Sequence, residues 1–129
     1  MGRIIKFRAK AMSEEAWVYG DLIHYTRPRC EKVCIQETDG FQLMHDVVEE
    51  TVCQFTGLYD KNCKEIYEGD IVRHTFGKRK DDTGKFVDEY RDIVVVYDYG
   101  SFNVSCLSLC LDYVEVLGNI YDNPELINH

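Results

Sequence analysis

No lysine or arginine occurs between Ile93 and His129, although Asp98, Asp112, Glu115, Asp122 and Glu125 all fall there. With a formal net charge of -8, that gap argues against a general binder of nucleic acid or anionic membrane, which meets phosphate with clustered cations. No apolar run approaches the roughly 18 residues that a membrane span needs. The first ten residues lack the apolar stretch of a signal peptide, so export is not expected. The expected setting is then the reducing cytoplasm, with the six cysteines present as thiols. No C-x2-C knuckle occurs, which removes the strongest sequence sign of a zinc site. Internal repeats and low-complexity segments are also missing.

What is present describes a small, mostly β protein. The 129 residues are most economically one domain, long enough to bury a core without metals or disulfides. Nine tyrosines and six phenylalanines, with many valines and isoleucines, lean toward strands. Basic residues outnumber acidic ones from Met1 to Arg29, the reverse of the C-terminal third. Ends of one fold that lie close and offset each other account for this; electrostatic docking between subunits is the sharper reading.

Period-two alternation from Ile5 to Lys10 puts Ile5, Phe7 and Ala9 on one face and Lys6, Arg8 and Lys10 on the other, as in a half-buried strand. With Ala16 to Tyr25 it predicts an N-terminal hairpin, Gly20 marking a bulge or strand end. Val33 to Gln36 reads as a short strand, and Phe41 to Val48 as strand or loop. Val52 to Tyr67 reads as two strands around Asp60-Lys61-Asn62. Glu68-Gly69-Asp70 then bends the chain into a strand over Ile71 to Phe76, with Asp70 capping the turn. Gly77 to Asp92 holds ten charged residues among sixteen and suits a long hairpin tip around Asp82-Thr83-Gly84. Ile93 to Tyr97 is a β-branched strand that Asp98-Tyr99-Gly100 turns back toward Val104. Tyr113 to Tyr121 is the last strand. Asn123-Pro124 is an N-cap followed by proline at the first helical position, which predicts one helical turn.

Short strands with tight turns suit a small closed or nearly closed barrel. The expected architecture is mostly β: an N-terminal hairpin and connecting segment over 1–51, an SH3-like small barrel over 52–121, and a short C-terminal helical turn within 122–129.

Three blocks of the sequence, Ile4 to Ala9, Glu50 to Val72 and Glu115 to Leu126, resemble the YopX family of phage and prophage proteins. They follow in order along nearly the whole chain, and the middle block is the most specific. The resemblance implies a phage or prophage origin, a mostly β fold and a tendency to form oligomers, and it implies no activity. In the family's pattern glycine usually stands where this chain has Cys53 and Cys63. A cysteine held at the positive φ of a hairpin bulge is strained by roughly 1 kcal/mol or more. Asn62 is therefore expected to take the left-handed conformation, which asparagine tolerates.

Five constellations merit weighing. Cys30 with Cys34 and Cys106 with Cys110 share a four-residue spacing, but reduced, partly buried thiols are the plainer reading than zinc, and no metal or cofactor is expected. His24, His45, His74 and His129 are available to a cysteine, yet nothing local activates a thiol. Glu65, Glu68 and Asp70 surround Tyr67 and Gly69. A turn cap and solvated strand edges explain them better than acid/base work or cation binding, although they form the motif to mutate first. Lys78-Arg79-Lys80 is nearly cancelled by Asp81-Asp82, so nucleic acid is disfavoured as a partner. Finally, Tyr97, Tyr99, Phe102, Tyr113 and Tyr121 are candidates for a groove or subunit interface.

The functional expectation is a non-enzymatic phage or prophage accessory protein in the cytoplasm of a bacterial host. It self-associates and acts through contacts with a host or phage protein. The alternatives are a nucleic-acid-binding module in phage replication or regulation, and a carboxylate- or metal-dependent enzyme using Glu65, Glu68 and Asp70.

Overall fold

The computed structural model describes residues 4–27, 30–98, 101–102 and 112–127, with the backbone alone at 27, 30, 98, 101 and 102. The chain divides into two units, Met1–Gly57 and Leu58–His129. Among the described residues no helix is long and apolar enough to cross a membrane.

The first unit is an antiparallel sheet. β1 (Phe7–Lys10), β2 (Trp17–Arg27), β3 (Cys30–Gln36), β4 (Met44–Asp46) and β5 (Cys53–Tyr59) lie in the order β4-β3-β2-β1-β5. Phe7 and Ala9 of β1 face a core with Ala11, Val18, Ile35 and Val47, but the expected alternation is broken on both sides: Arg8 is buried as well, and Ile5 is exposed. The expected hairpin forms with the register Phe7↔Gly20 to Lys10↔Trp17. Gly20, however, neither bulges nor ends its strand. β2 runs through it and changes partner there, pairing with β3 from Asp21↔Gln36 onward. A Cβ on Gly20 would stand 2.0 Å from the carbonyl oxygen of Gln36, so only glycine allows this approach.

β5 runs past Gly57 into the second unit, where its hairpin partner is β6 (Glu65–Tyr67). β7 (Asp70–Lys80), β8 (Phe86–Val94) and β11 (Val114–Asn119) form a second sheet in the order β11-β7-β8. After β8 in the chain, β9 (Tyr97–Asp98) and β10 (Ser101–Phe102) pair antiparallel; Tyr99 and Gly100 of the expected turn lie outside the described residues. The core of this unit is Ile66, Val72, Val95 and Val114, with Leu58, Ile93 and Val116 packed around it. Proline-led 3-10 turn Pro124–Leu126 ends the described chain.

Mostly β is what the structure has, but the described strands do not close into the expected barrel. Closure requires the end strands to pair with each other around a filled interior. Here β7 and β8 pair with one another from Ile71↔Val94 to Lys80↔Phe86, while β11 reaches only from Asp70 to His74. The charge density of 77–92 explains the difference, since such residues stay in water and make a poor barrel lining.

Three local readings also change. Ile93 to Tyr97 is not one strand: β8 stops at Val94, and the Val95 amide bonds to the carbonyl of Asp70 at 2.8 Å. That bond draws Val95 into the core. Cys63, and not Asn62, takes the left-handed conformation, at φ 63. Asn123 does not cap the terminal turn with its side chain; its Oδ1 instead accepts the Asn119 amide at 3.2 Å.

Candidate functional site

The Glu68-Gly69-Asp70 bend is built to hold backbone. Asp70 is 1% exposed, and its Oδ2 accepts the amide of Tyr67 at 2.8 Å. This is the turn-capping role expected of it. Gly69 at φ 86 donates its amide to the Val95 carbonyl and accepts from Ile120. Tyr67 is buried and donates its hydroxyl to Glu65 Oε1 at 3.0 Å. Glu68 is half-buried. These partners occupy an Asp70 oxygen and a Glu65 oxygen with structural bonds. Among the described residues, no group of three or more histidine, cysteine or acidic side chains is placed to share a metal ion.

The C-terminal block meets this bend. Asn119 pairs with Asp70 across β11 and β7. Its buried side chain accepts the amides of Tyr121 and Asp122 and donates to the Asp122 carboxylate. Two of the three specific sequence blocks therefore assemble into one set of interlocked turns.

A third structural carboxylate, Asp60, was visible in the sequence only as a turn former. It is 5% exposed. Its Oδ1 accepts the amides of Asn62 and Lys64, and its Oδ2 accepts the amide of Val116 at 2.9 Å. Lys61 donates its amide to the Val114 carbonyl. Asp60 thus pins the β5–β6 turn onto β11. The signal that would have revealed it is a second turn in the same chain. In Asp81-Asp82-Thr83-Gly84-Lys85, Asp81 Oδ1 accepts from Thr83 and Lys85, and the Gly84 amide bonds back to Asp81. Asp60-Lys61-Asn62-Cys63-Lys64 repeats that pattern bond for bond. Cys63 occupies the position that Gly84 fills at φ 86.

Among the described residues three cysteines are placed with their side chains, and all three are free thiols. Cys34 is buried and donates to Asp46 Oδ1 at 3.1 Å. Burial first, and then that bond to a carboxylate, push its thiol up from the ordinary range, which is opposite to nucleophile activation. Asp46 is held below its usual value, first by the Cys34 bond and then by Lys32. Cys53 is buried and donates to the Thr51 carbonyl, whereas Cys63 is exposed. Cys106, Cys110 and the side chain of Cys30 lie outside the described residues.

Most of the exposed aromatics among the described residues lie in the second unit, though only partly as expected. Tyr97 and Tyr113 are exposed and Tyr121 is half-buried. Tyr99 and the side chain of Phe102 lie outside the described residues. Around Tyr113 the sheet forms two adjoining clefts. One, of about 370 Å³, is lined by Lys61, Arg73, Thr75, Asp88, Tyr90, Asp112, Tyr113 and Glu115. The other, of about 470 Å³, is lined by His74, Thr75, Phe76, Gly77, Lys78, Asp88 and Tyr113. Phe76 and Tyr90 were missed in the sequence because both lie within or beside the most charged stretch of the chain. A bulge between Thr75 and Gly77 sets Phe76 out of register, a device that re-aims a side chain.

The two cations of the first cleft each have an acidic partner. Arg73 lies over the Tyr90 ring at 4.0 Å and holds Asp92 through two hydrogen bonds. The Asp92 bonds push the guanidinium further up from its ordinary value. Lys61 pairs with Glu115 at 2.8 Å. The face therefore offers aromatic surface edged by neutralised ion pairs.

Comparison with known proteins points one way. The model of one family, described as YopX protein, matches residues 6–128. No curated protein matches the chain. Among solved structures, protein EF1440 from Enterococcus faecalis has the same fold with a TM-score of 0.53 and 24% identity, over 98% of this chain and 100% of that one.

Proposed function

The chain belongs to the YopX family, and on that footing we propose that it is a non-enzymatic phage or prophage accessory protein. It works in the cytoplasm of a bacterial host, self-associates and acts through protein contacts. The observation that carries this reading is the exposure of Phe76, Tyr90 and Tyr113 around clefts in the second sheet. Aromatic side chains supply large contact area and are enriched at interface centres. The hairpin that presents Phe76 and Tyr90 extends beyond the reach of β11, and a lone two-stranded ribbon is marginal in water. A partner covering that ribbon would bury its aromatic surface.

Electrostatics favours protein over nucleic acid. Arg73 and Lys61 are committed to Asp92 and Glu115, so they do not present the unneutralised cations that a phosphate chain selects. The carboxylates of the bend serve backbone and hydroxyl donors, which supports a structural part for Glu65 and Asp70.

Light scattering on a sizing column at micromolar concentration tests the reading. The expected mass is a multiple of 15.1 kDa; a purely monomeric peak overturns self-association. A mobility shift at low salt that weakens as salt rises would put the nucleic-acid alternative in its place.

A further inference from the structure

The tip between β3 and β4 carries the most exposed large apolar side chain in the described structure, Phe41, at 94%. The loop is closed by the Glu37 amide on the Leu43 carbonyl at 2.8 Å, and by the Gln42 amide on Asp39. Gly40 at φ 62 and Gln42 at φ 54 flank Phe41 with left-handed backbone. Gln42 pays a steric penalty for that conformation, and the result is an aromatic ring held in water. Leu43 and Met44 beside it are exposed too. A strained loop that presents an apolar ring has no rationale in the stability of its own unit.

Resting on self-association, we propose that the Phe41 tip of one copy seats in the cleft that His74, Phe76, Lys78 and Tyr113 form on another copy. That cleft encloses about 470 Å³. The His74 and Phe76 rings lie 6.0 Å apart and tilted, so a third ring can meet an edge or a face. A phenylalanine side chain entering it removes on the order of 150–250 Å² from water. The signs match as well. Glu37 and Asp39 precede Phe41 in the tip; Lys78 and, opposite it on β8, Asp88 line the cleft, and Arg79 and Lys80 follow Lys78 on β7, so basic residues outnumber the acidic one along that rim. Such complementarity orients encounter and disfavours the reversed pairing of tip with tip. Tip and cleft are different surfaces, so the contact is heterologous: repeated, it closes into a ring or runs on as a chain.

Three samples test this by light scattering: the wild type, Phe41→Ser and Tyr113→Ala. Phe41 is in water, so its replacement leaves the fold intact, and circular dichroism checks both variants. The expected result is an assembled wild type and two variants that each fall to 15.1 kDa. An equimolar mixture of the variants should regain a two-subunit species, because the Tyr113→Ala copy keeps its tip and the Phe41→Ser copy keeps its cleft. A Phe41→Ser protein that retains the wild-type mass overturns the tip-in-cleft contact while leaving self-association standing. A mixture that stays monomeric also overturns it. A monomeric wild type removes self-association itself.

Discussion

Cys63 shows how a single residue can carry strain that its neighbours conceal. Its φ of 63 belongs to a turn geometry that Asp81 to Lys85 repeats with glycine. Replacing Cys63 by glycine relieves about 1–2 kcal/mol of steric strain and returns part of it through the greater freedom of the unfolded chain. Cys63→Gly should therefore stabilise the protein by roughly 0.5–1 kcal/mol, read as a higher urea midpoint at unchanged slope. In the twin turn, Asp81 is held below its ordinary value of 3.8, first by the Thr83 hydroxyl and further by backbone amides. A carboxyl whose folded value is depressed lends stability above its unfolded value and loses it as pH falls through the folded one. A Thr83→Val variant should move the Asp81 midpoint back toward 3.8 in a carboxyl-carbon NMR titration.

Elements are fixed to each other by buried polar contacts at their ends. Asp60 ties the β5–β6 turn to β11, and removing it orphans three amide donors at a part-buried junction. Asp60→Ala should cost about 2–4 kcal/mol, measured by chemical denaturation. Asp81→Ala, which breaks the same pattern in an exposed turn, should cost less. Within the first sheet, Gly20→Ala drives a methyl group into the Gln36 carbonyl. It should destabilise by at least about 2 kcal/mol, with faster amide exchange along β3. Alternation in β1 and the turn signals around Asp60 and Gly84 were enough to find these elements. The ends of β8 and the partner change at Gly20 were not legible, because both depend on which strand lies alongside. The same holds for the site: Asp70 as a cap follows from the bend it closes, whereas Phe76 depends on a bulge that no spacing announces.

For the whole molecule, the excess of acid and the basic run on β7 suit contacts that salt can weaken. If the tip of one copy meets the Lys78 rim of another, raising salt from 0.05 to 0.5 M, which shortens the reach of exposed charges by about a factor of three, should lower the assembled fraction. A Lys78→Glu variant should lower it at constant salt, both read by sedimentation velocity. A strictly apolar contact would respond in neither experiment.

By itself, the sequence determined the family, the mostly β class, the N-terminal hairpin and the capping part of Asp70. The family rests on the three blocks that match it; the others rest on local chemistry: period-two alternation, turn residues, and a carboxylate beside the amides of a tight bend. Tertiary structure alone decided that the strands form open sheets and not a closed barrel, that Cys63 bears the left-handed strain, and that Phe76, Tyr90 and Tyr113 share one face. Strand neighbours, bulges and register depend on contacts between residues far apart in the chain, and no local pattern of apolar and polar residues encodes them.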